Sequence, residues 1–129
     1  MAERARPPRP TDAELAILRV LWAIGPATVR QIHQHLGRKN ARYTTTLKFL
    51  QIMTEKGLVV RDESSRSHVY RPALSESRTQ KRLVHDLLDR AFGGSMHKLV
   101  LHALSARPAS AEELEKIRKL LDELKGESS

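Results

Sequence analysis

The chain has 129 residues, which is enough for one or two small domains and for a hydrophobic core of about one domain, but not for several. It contains no cysteine, which excludes disulfides, thiolate nucleophiles and cysteine-based zinc or iron–sulfur sites. Its 23 basic and 15 acidic side chains are unevenly placed, because residues 1–74 carry 13 basic and 6 acidic groups whereas residues 75–129 carry 10 and 9. This asymmetry indicates that the first part faces a polyanion such as nucleic acid, and a generally soluble basic domain is the alternative.

The N-terminal segment MAERARPPRP predicts a flexible, basic, proline-rich arm over residues 1–10. It lacks the apolar core of a signal peptide, and no apolar run in the sequence approaches the roughly 20 residues of a membrane span. We therefore expect a cytoplasmic protein without membrane insertion.

Two short helices are predicted after the arm. Thr11 and Glu14 have the spacing of a capping box, apolar residues then recur at helical spacing, and Gly25-Pro26 ends the first helix. Thr28 is the predicted N-cap of the second helix, VRQIHQHLG, which ends at Gly37.

A basic turn, RKNAR over residues 38–42, leads into a third helix that begins at Tyr43 or Thr44 and ends before Gly57. Helical spacing divides this helix into two faces. The apolar face holds Thr46, Leu47, Leu50, Met53 and Thr54, and the polar face holds Thr44, Thr45, Lys48, Gln51 and Glu55.

After Gly57 the pattern changes from helical to extended. The segments LVVRDE and SHVYRP are rich in β-branched and aromatic residues, and the polar SSR joins them into a predicted two-stranded hairpin that ends at Pro72. Three short helices and a hairpin predict a winged helix-turn-helix over residues 11–74. In that arrangement the third helix enters the major groove, and the hairpin, or wing, lies along the adjacent DNA backbone.

Short hydroxyl side chains at the start of the third helix suit a surface that contacts DNA. Threonine donates and accepts hydrogen bonds, its methyl can touch a thymine methyl, and a helix N-terminus favours phosphate. The structural alternatives are that Thr44 is a plain N-cap and that Thr46 only packs; we favour packing for Thr46 and DNA contact for Thr44, Thr45 and Lys48. The candidate DNA-binding residues are Thr28, Arg30, Arg42, Tyr43, Thr44, Thr45, Lys48, Arg61, Arg66, Ser67 and His68.

Three further helices are predicted within residues 75–125, before a short tail over residues 126–129. Each has an apolar stripe, and three helices of these lengths make a poor core for a monomer, so we expect a second copy to bury the stripes. Packing onto the winged helix is the alternative. The candidate dimerisation residues are Leu87, Leu88, Phe92, Met96, Leu99, Val100, Ala103, Leu104, Leu114, Ile117 and Leu121.

The segments TDAE, LW, GPATVR, YTT, EKGLV and VYRP, in this order and spacing, resemble the penicillinase-repressor family of bacteria, the BlaI/MecI type, whose relatives include the copper-responsive CopY regulators. The resemblance covers residues 11 to about 124. It implies a homodimeric repressor that binds palindromic operators with TACA/TGTA-like half-sites and needs no cofactor. One departure is Phe49, which is bulkier than the residue in many relatives and either packs on the second helix or touches a thymine methyl.

The resemblance also implies release of DNA by proteolysis in response to a membrane sensor metalloprotease that binds β-lactams. The Asn-Phe bond cut in well-known members corresponds to His102-Ala103 here, so cleavage at another bond, by another protease, or not at all are the alternatives. The tail lacks the Cys-x-Cys pairs of the copper-responsive branch, which excludes copper sensing by thiolates.

No constellation in the sequence predicts an enzyme or a metal site. The six histidines do not converge at ligand spacing, and Ser95 in GGSMH lacks a nucleophile elbow and is interpreted as a helix cap. A DNA-binding repressor explains the basic half, the third helix and the apolar C-terminal helices together. A winged-helix module that binds another protein is the alternative, and it would leave the basic helix face without a role.

Overall fold

The computed structural model describes residues 9–37 and 42–128, so most of the predicted arm and of the RKNAR turn lie outside the described residues. The elements follow the predicted order of helices and strands, with one additional short strand. They are α1 (Asp12–Ile24), β1 (Ala27–Thr28), α2 (Val29–Leu36), α3 (Tyr43–Lys56), β2 (Val59–Asp62), β3 (Val69–Pro72), α4 (Glu76–Ala91), α5 (Met96–Ala106) and α6 (Ala111–Ser128).

The first two helices begin at the predicted caps. The Thr11 hydroxyl accepts from the Glu14 amide at 3.2 Å, and the Glu14 carboxylate accepts from the Thr11 amide at 2.9 Å. Thr28 and Gln31 form the same reciprocal pair at the start of α2. These capping boxes satisfy amide groups that a helix start otherwise leaves unpaired.

Gly57 determines where α3 ends and the sheet begins. Its φ is 82°, in the left-handed region that glycine adopts without a steric penalty. The Leu58 amide then donates to the Met53 carbonyl at 2.9 Å, which closes the last turn and directs the chain into β2.

The predicted hairpin of β2 and β3 is confirmed, but the sheet has three strands in the order β1-β3-β2. β1 is antiparallel to β3, with Ala27 opposite Tyr70 and Thr28 opposite Val69. The sequence therefore predicted the hairpin but not the additional strand β1. A strand of two residues has no alternation of its own, so only its pairing with β3 reveals it.

One hydrophobic core joins α1, α2 and α3 to the sheet. Its buried residues are Ile17, Leu18, Leu21, Ala27, Val29, Ile32, Leu50, Met53, Leu58, Val59 and Tyr70. Trp22 packs at the edge of this core, and its Nε1 donates to the Leu74 carbonyl at 3.1 Å. The core fixes the axis of α3, and with it the direction in which the polar face of α3 points.

The chain divides into two compact units, residues 1–83 and residues 84–129, and the division falls inside α4. In the second unit Ser95 caps α5 as predicted, accepting from the Lys98 amide at 3.1 Å. No residue of α5, all of which the structure describes, is buried. None of the described helices combines the length and the apolar character needed to cross a membrane.

Candidate nucleic-acid interface

The two predicted faces of α3 are confirmed. Thr46, Leu50 and Met53 are each at most 2% exposed and belong to the buried side of the helix. On the opposite side Thr44, Thr45, Lys48, Gln51 and Glu55 are all exposed. The helix therefore presents hydroxyl, ammonium, amide and carboxylate groups to the outside, held in place by the core behind them.

The start of α3 differs from the starts of α1 and α2. Arg42 is the N-cap, with an extended backbone at φ −92° and ψ 149°, and within the described residues its side chain makes no capping hydrogen bond. The alternative that Thr44 is the N-cap was wrong, because Thr44 already lies in the first turn of the helix. Within the described residues no side chain caps this turn as Thr11 and Thr28 cap α1 and α2. The Thr45 and Thr46 amides donate to the Arg42 carbonyl at 3.0 and 3.2 Å. The positive end of the helix dipole at this helix start favours an anion.

Thr46 faces the interior, as predicted, and it also makes a hydrogen bond to α2. Its Oγ1 lies 2.9 Å from His33 Nδ1, and the tautomer of His33 decides which of the two donates. Thr46 is 2% exposed and His33 is half-buried. A buried hydroxyl needs such a partner, so this contact fixes the position of the first turn of α3 against α2.

Tyr43, the first residue of α3, is 42% exposed and lies beside two residues of α2. The guanidinium carbon of Arg30 is 5.7 Å from the centre of the Tyr43 ring, within the range of a cation–π contact. The His33 ring meets the Tyr43 ring edge-to-face, with 6.0 Å between centroids and 76° between planes. The structure therefore brings the candidate residues Arg30 and Tyr43 together, and it adds His33, which the sequence did not single out for this surface.

Thr28, another candidate, has a structural role that accounts for its side chain. Its Oγ1 accepts from the Gln31 amide at 3.3 Å and caps α2, while its backbone pairs with β3. Its assignment to DNA binding stays a prediction.

The wing turn joins β2 to β3 and is exposed throughout residues 62–68. Asp62 Oδ1 accepts from the Ser64 amide at 2.9 Å, and this hydrogen bond lowers the pKa of Asp62. Ser65 Oγ donates to the Ser67 carbonyl at 2.8 Å. These two local bonds shape the turn that carries the candidates Arg66, Ser67 and His68.

Arg61 lies on β2, at the base of the wing, and its guanidinium already interacts with other side chains of the protein. Its Nη2 is 2.6 Å from Glu63 Oε2, and a hydrogen bond with the Tyr70 side chain, followed by the charge of Glu63, raises its pKa. Arg61 therefore connects the two strands of the wing, and its contact with DNA stays a prediction.

An ion pair between α1 and α3 was not expected from the sequence. Lys56 Nζ donates to Glu14 Oε1 at 3.1 Å and to Oε2 at 2.8 Å, and Glu14 is 2% exposed. Burial alone raises the pKa of the Glu14 carboxyl, but the bonds from Lys56 and from the Thr11 amide outweigh it and leave the pKa below its ordinary value. The sequence signal was only the capping-box spacing, which says nothing about a partner 42 residues away.

Phe49 is half-buried and packs against the hydrophobic core. Of the two interpretations of this residue, the structure therefore supports packing.

The candidate dimerisation residues lie on helices whose apolar side chains are largely uncovered. Met96 is 62% exposed, Leu104 is 42% exposed and Leu121 is 52% exposed. Leu87, Val100 and Leu114 are also exposed, and Leu88, Phe92, Leu99 and Ile117 are half-buried. His102 and Ala103 are exposed within α5, and the His102 ring lies 5.9 Å from that of Phe92.

No group of three metal-capable side chains occurs in the described part of the chain.

Comparison with known proteins gives consistent matches along the chain. Residues 10–123 match the family described as Penicillinase repressor. The chain is 33% identical over 116 residues to the transcriptional regulator BlaI of Mycobacterium tuberculosis, covering 88% of this chain and 83% of that protein. It is 25% identical over 119 residues to the penicillinase repressor of Bacillus licheniformis, covering 92% of this chain and 93% of that protein.

A solved structure also matches. The solution structure of the DNA-binding domain of the repressor BlaI covers 57% of this chain and 92% of that domain, with a TM-score of 0.50 and 24% sequence identity. This likeness confirms the winged-helix fold.

Proposed function

The chain belongs to the penicillinase repressor family, and from this membership we infer that it is a DNA-binding transcriptional repressor rather than an enzyme. The structural observation that carries the inference is the exposed surface of the first two turns of α3. Thr44 and Thr45 in the first turn and Lys48 in the second are exposed, the opposite face is buried in the core, and the N-cap side chain makes no hydrogen bond to the amide groups of the first turn. These are the groups that a helix needs to contact bases and phosphates in a major groove.

In this proposal the chain acts in the cytoplasm, as a homodimer that binds palindromic operators with TACA/TGTA-like half-sites. A protein that binds a palindromic site needs a two-fold axis between two DNA-binding helices. The exposed leucines, Val100 and Met96 of the C-terminal helices supply an apolar surface that a second copy would bury. The wing, with Arg66, Ser67 and His68, lies along the backbone next to each half-site.

Footprinting of the DNA upstream of its own gene, at two salt concentrations, tests this proposal. We expect a symmetric footprint that weakens steeply as salt rises, because phosphate contacts release counterions. Thr45→Ala should give weaker protection at the lowest protein concentration where wild type protects fully, and should need a higher concentration to reach the same protection. The matched control is Glu55→Ala, which alters the same exposed face three turns closer to the end of α3.

A winged-helix module that binds another protein is the competing function, and the same experiment separates the two. Protection that is uniform along the DNA and shared by Thr45→Ala would indicate only general binding by a basic domain. An apolar interface with a protein partner would also change little with salt, in contrast to a phosphate-bound surface.

For release from DNA we propose proteolysis in the C-terminal helices, linked to a membrane sensor metalloprotease. The bond between His102 and Ala103 lies inside α5, so local opening of this helix has to precede cleavage there. Mass spectrometry of the chain recovered from its host before and after β-lactam exposure measures this directly. A fragment ending at His102 is the expected product, and an intact chain after derepression would contradict proteolysis.

A further inference from the structure

We propose that Arg30 and Tyr43 form a binding site for one backbone phosphate of DNA, and that His33 is a positioning residue that holds Tyr43 in place. The inference rests on the proposed DNA-binding function and adds a specific contact and a residue with a defined role. It follows from side chains of two helices, α2 and α3, that meet at the edge of the candidate interface.

Arg30 and Tyr43 supply the chemistry of the site. A guanidinium carries charge and several N–H donors, and a phenol adds one O–H donor, so together they suit the non-bridging oxygens of a phosphate. Both side chains are exposed, and the 5.7 Å between the Arg30 guanidinium carbon and the Tyr43 ring centre keeps them adjacent. A cation–π contact of this kind directs the guanidinium without using up its N–H donors.

His33 links this pair to the rest of the fold. Its Nδ1 is 2.9 Å from the Oγ1 of Thr46, which is buried, and its ring meets Tyr43 edge-to-face at 6.0 Å. One half-buried side chain thus contacts both the interior and the exposed ring. Tyr43 is the first residue of α3, and His33 of α2 supports its ring from the side.

His35 is a natural control on the same helix. Its Nδ1 lies 2.9 Å from the Gln31 carbonyl, one turn earlier in α2, and its side chain is exposed. The two histidines therefore share a helix and a residue type, but only His33 has described contacts with α3.

The test measures affinity for two duplexes of equal length, the one that wild type footprints and an unrelated sequence. Phosphate contacts carry no sequence information, so each variant should lose affinity for both duplexes by the same factor, about three- to tenfold. The variants are Arg30→Ala, Tyr43→Phe and His33→Ala. His35→Ala should leave both affinities unchanged. Arg30→Ala should also make affinity less dependent on salt: the slope of log affinity against log salt concentration should fall by about one, as expected for the loss of one phosphate contact.

A double variant separates positioning from a general structural role. Tyr43→Ala removes the ring that His33 is proposed to hold, so adding His33→Ala in that background should cause a smaller loss of affinity than in wild type, limited to what the lost hydrogen bond with Thr46 contributes. Unfolding followed by Trp22 fluorescence shows that each variant is folded at the temperature of the binding assay. A His33→Ala loss that persists in full in the Tyr43→Ala background would overturn the positioning role.

The remaining outcomes distinguish this proposal from the proposed function. Losses confined to the footprinted duplex would overturn the phosphate site, because they would indicate a base contact. Wild-type affinity in His33→Ala would overturn the role of His33 alone. Wild type that gives no footprint on the DNA upstream of its own gene and does not bind the unrelated duplex would instead overturn DNA binding itself.

Discussion

Glu14 is a buried carboxylate at the start of α1 that holds the end of α3. Its two oxygens accept from Lys56 Nζ at 3.1 and 2.8 Å, and Oε1 also accepts from the Thr11 amide. Because Glu14 is 2% exposed, loss of Lys56 would leave a buried charge with fewer partners than it needs. The pair therefore has structural consequences although it lies away from the exposed face of α3.

Lys56→Met is predicted to lower the free energy of unfolding by about 1–3 kcal/mol, the range for a buried acceptor that loses a partner. Lys48→Met is the control, since it makes the same change on the exposed face of the same helix. Denaturant unfolding followed by Trp22 fluorescence measures both. Equal stabilities of Lys56→Met and wild type would show that the ion pair contributes no net stability.

The same carboxylate predicts a dependence of stability on pH. The pKa of Glu14 is lower in the folded chain than its ordinary value of 4.5, so ionised Glu14 contributes stability above that value and the contribution is lost as pH falls through the lowered pKa. Glu14→Gln should therefore lose less stability than wild type between neutral pH and the acid range. Unfolding curves at a series of pH values measure this difference, and Glu55→Gln, on the exposed face of α3, should follow wild type. Parallel curves for Glu14→Gln and wild type would contradict the assignment.

At the level of secondary-structure elements, the sequence predicted what depends on local pattern. The helices, the β2–β3 hairpin and the two faces of α3 follow from periodicity, capping spacing and glycines, all of which lie within a few residues of one another. The third strand did not, because Ala27 and Thr28 pair with β3 some 40 residues later and have no pattern of their own.

Contacts between elements could likewise not be predicted from the sequence. The contact of His33 with Thr46 and that of Glu14 with Lys56 join residues 13 and 42 positions apart. They depend on how α2 and α1 pack against α3, and a single sequence carries no signal for that packing. Spacing placed Thr46 on the apolar face but did not identify its partner.

The two proposed DNA-binding elements, α3 and the wing, should respond differently when one of their side chains is removed. Thr45 lies on the exposed face of α3, so Thr45→Ala should weaken binding to the operator by about 1–3 kcal/mol if it contacts a base, with little effect on unrelated DNA. Arg66 lies in the exposed wing turn, so Arg66→Ala should lower affinity for the operator and for unrelated DNA by the same factor. It should also make both affinities less dependent on salt concentration. Affinities for both duplexes across a salt series test the contrast. A change of sequence preference in Arg66→Ala would assign base contacts to the wing.

For the whole molecule, charge and apolar surface are divided between the two parts of the chain. The first 74 residues hold nearly all of the excess positive charge, whereas the uncovered leucines concentrate in the C-terminal helices. A dimer would place two weakly bound winged helices on one DNA molecule, and the second binding event then becomes intramolecular. In such a dimer, affinity for the operator would depend on a surface that does not touch DNA.

Leu104→Glu tests this dependence, because Leu104 is 42% exposed on α5 and a charge there opposes burial against a second copy. The control is Ser105→Glu, which adds the same charge at the next, exposed position of α5. Sedimentation at several concentrations should show a monomer for Leu104→Glu and a dimer for wild type and Ser105→Glu. Operator affinity should fall by about tenfold or more in the monomer, because the second winged helix no longer binds intramolecularly. Binding of one winged helix to unrelated DNA should persist, since the residues proposed to contact phosphate are unchanged. A Leu104→Glu chain that still sediments as a dimer and binds the operator like wild type would move the dimer interface away from α5.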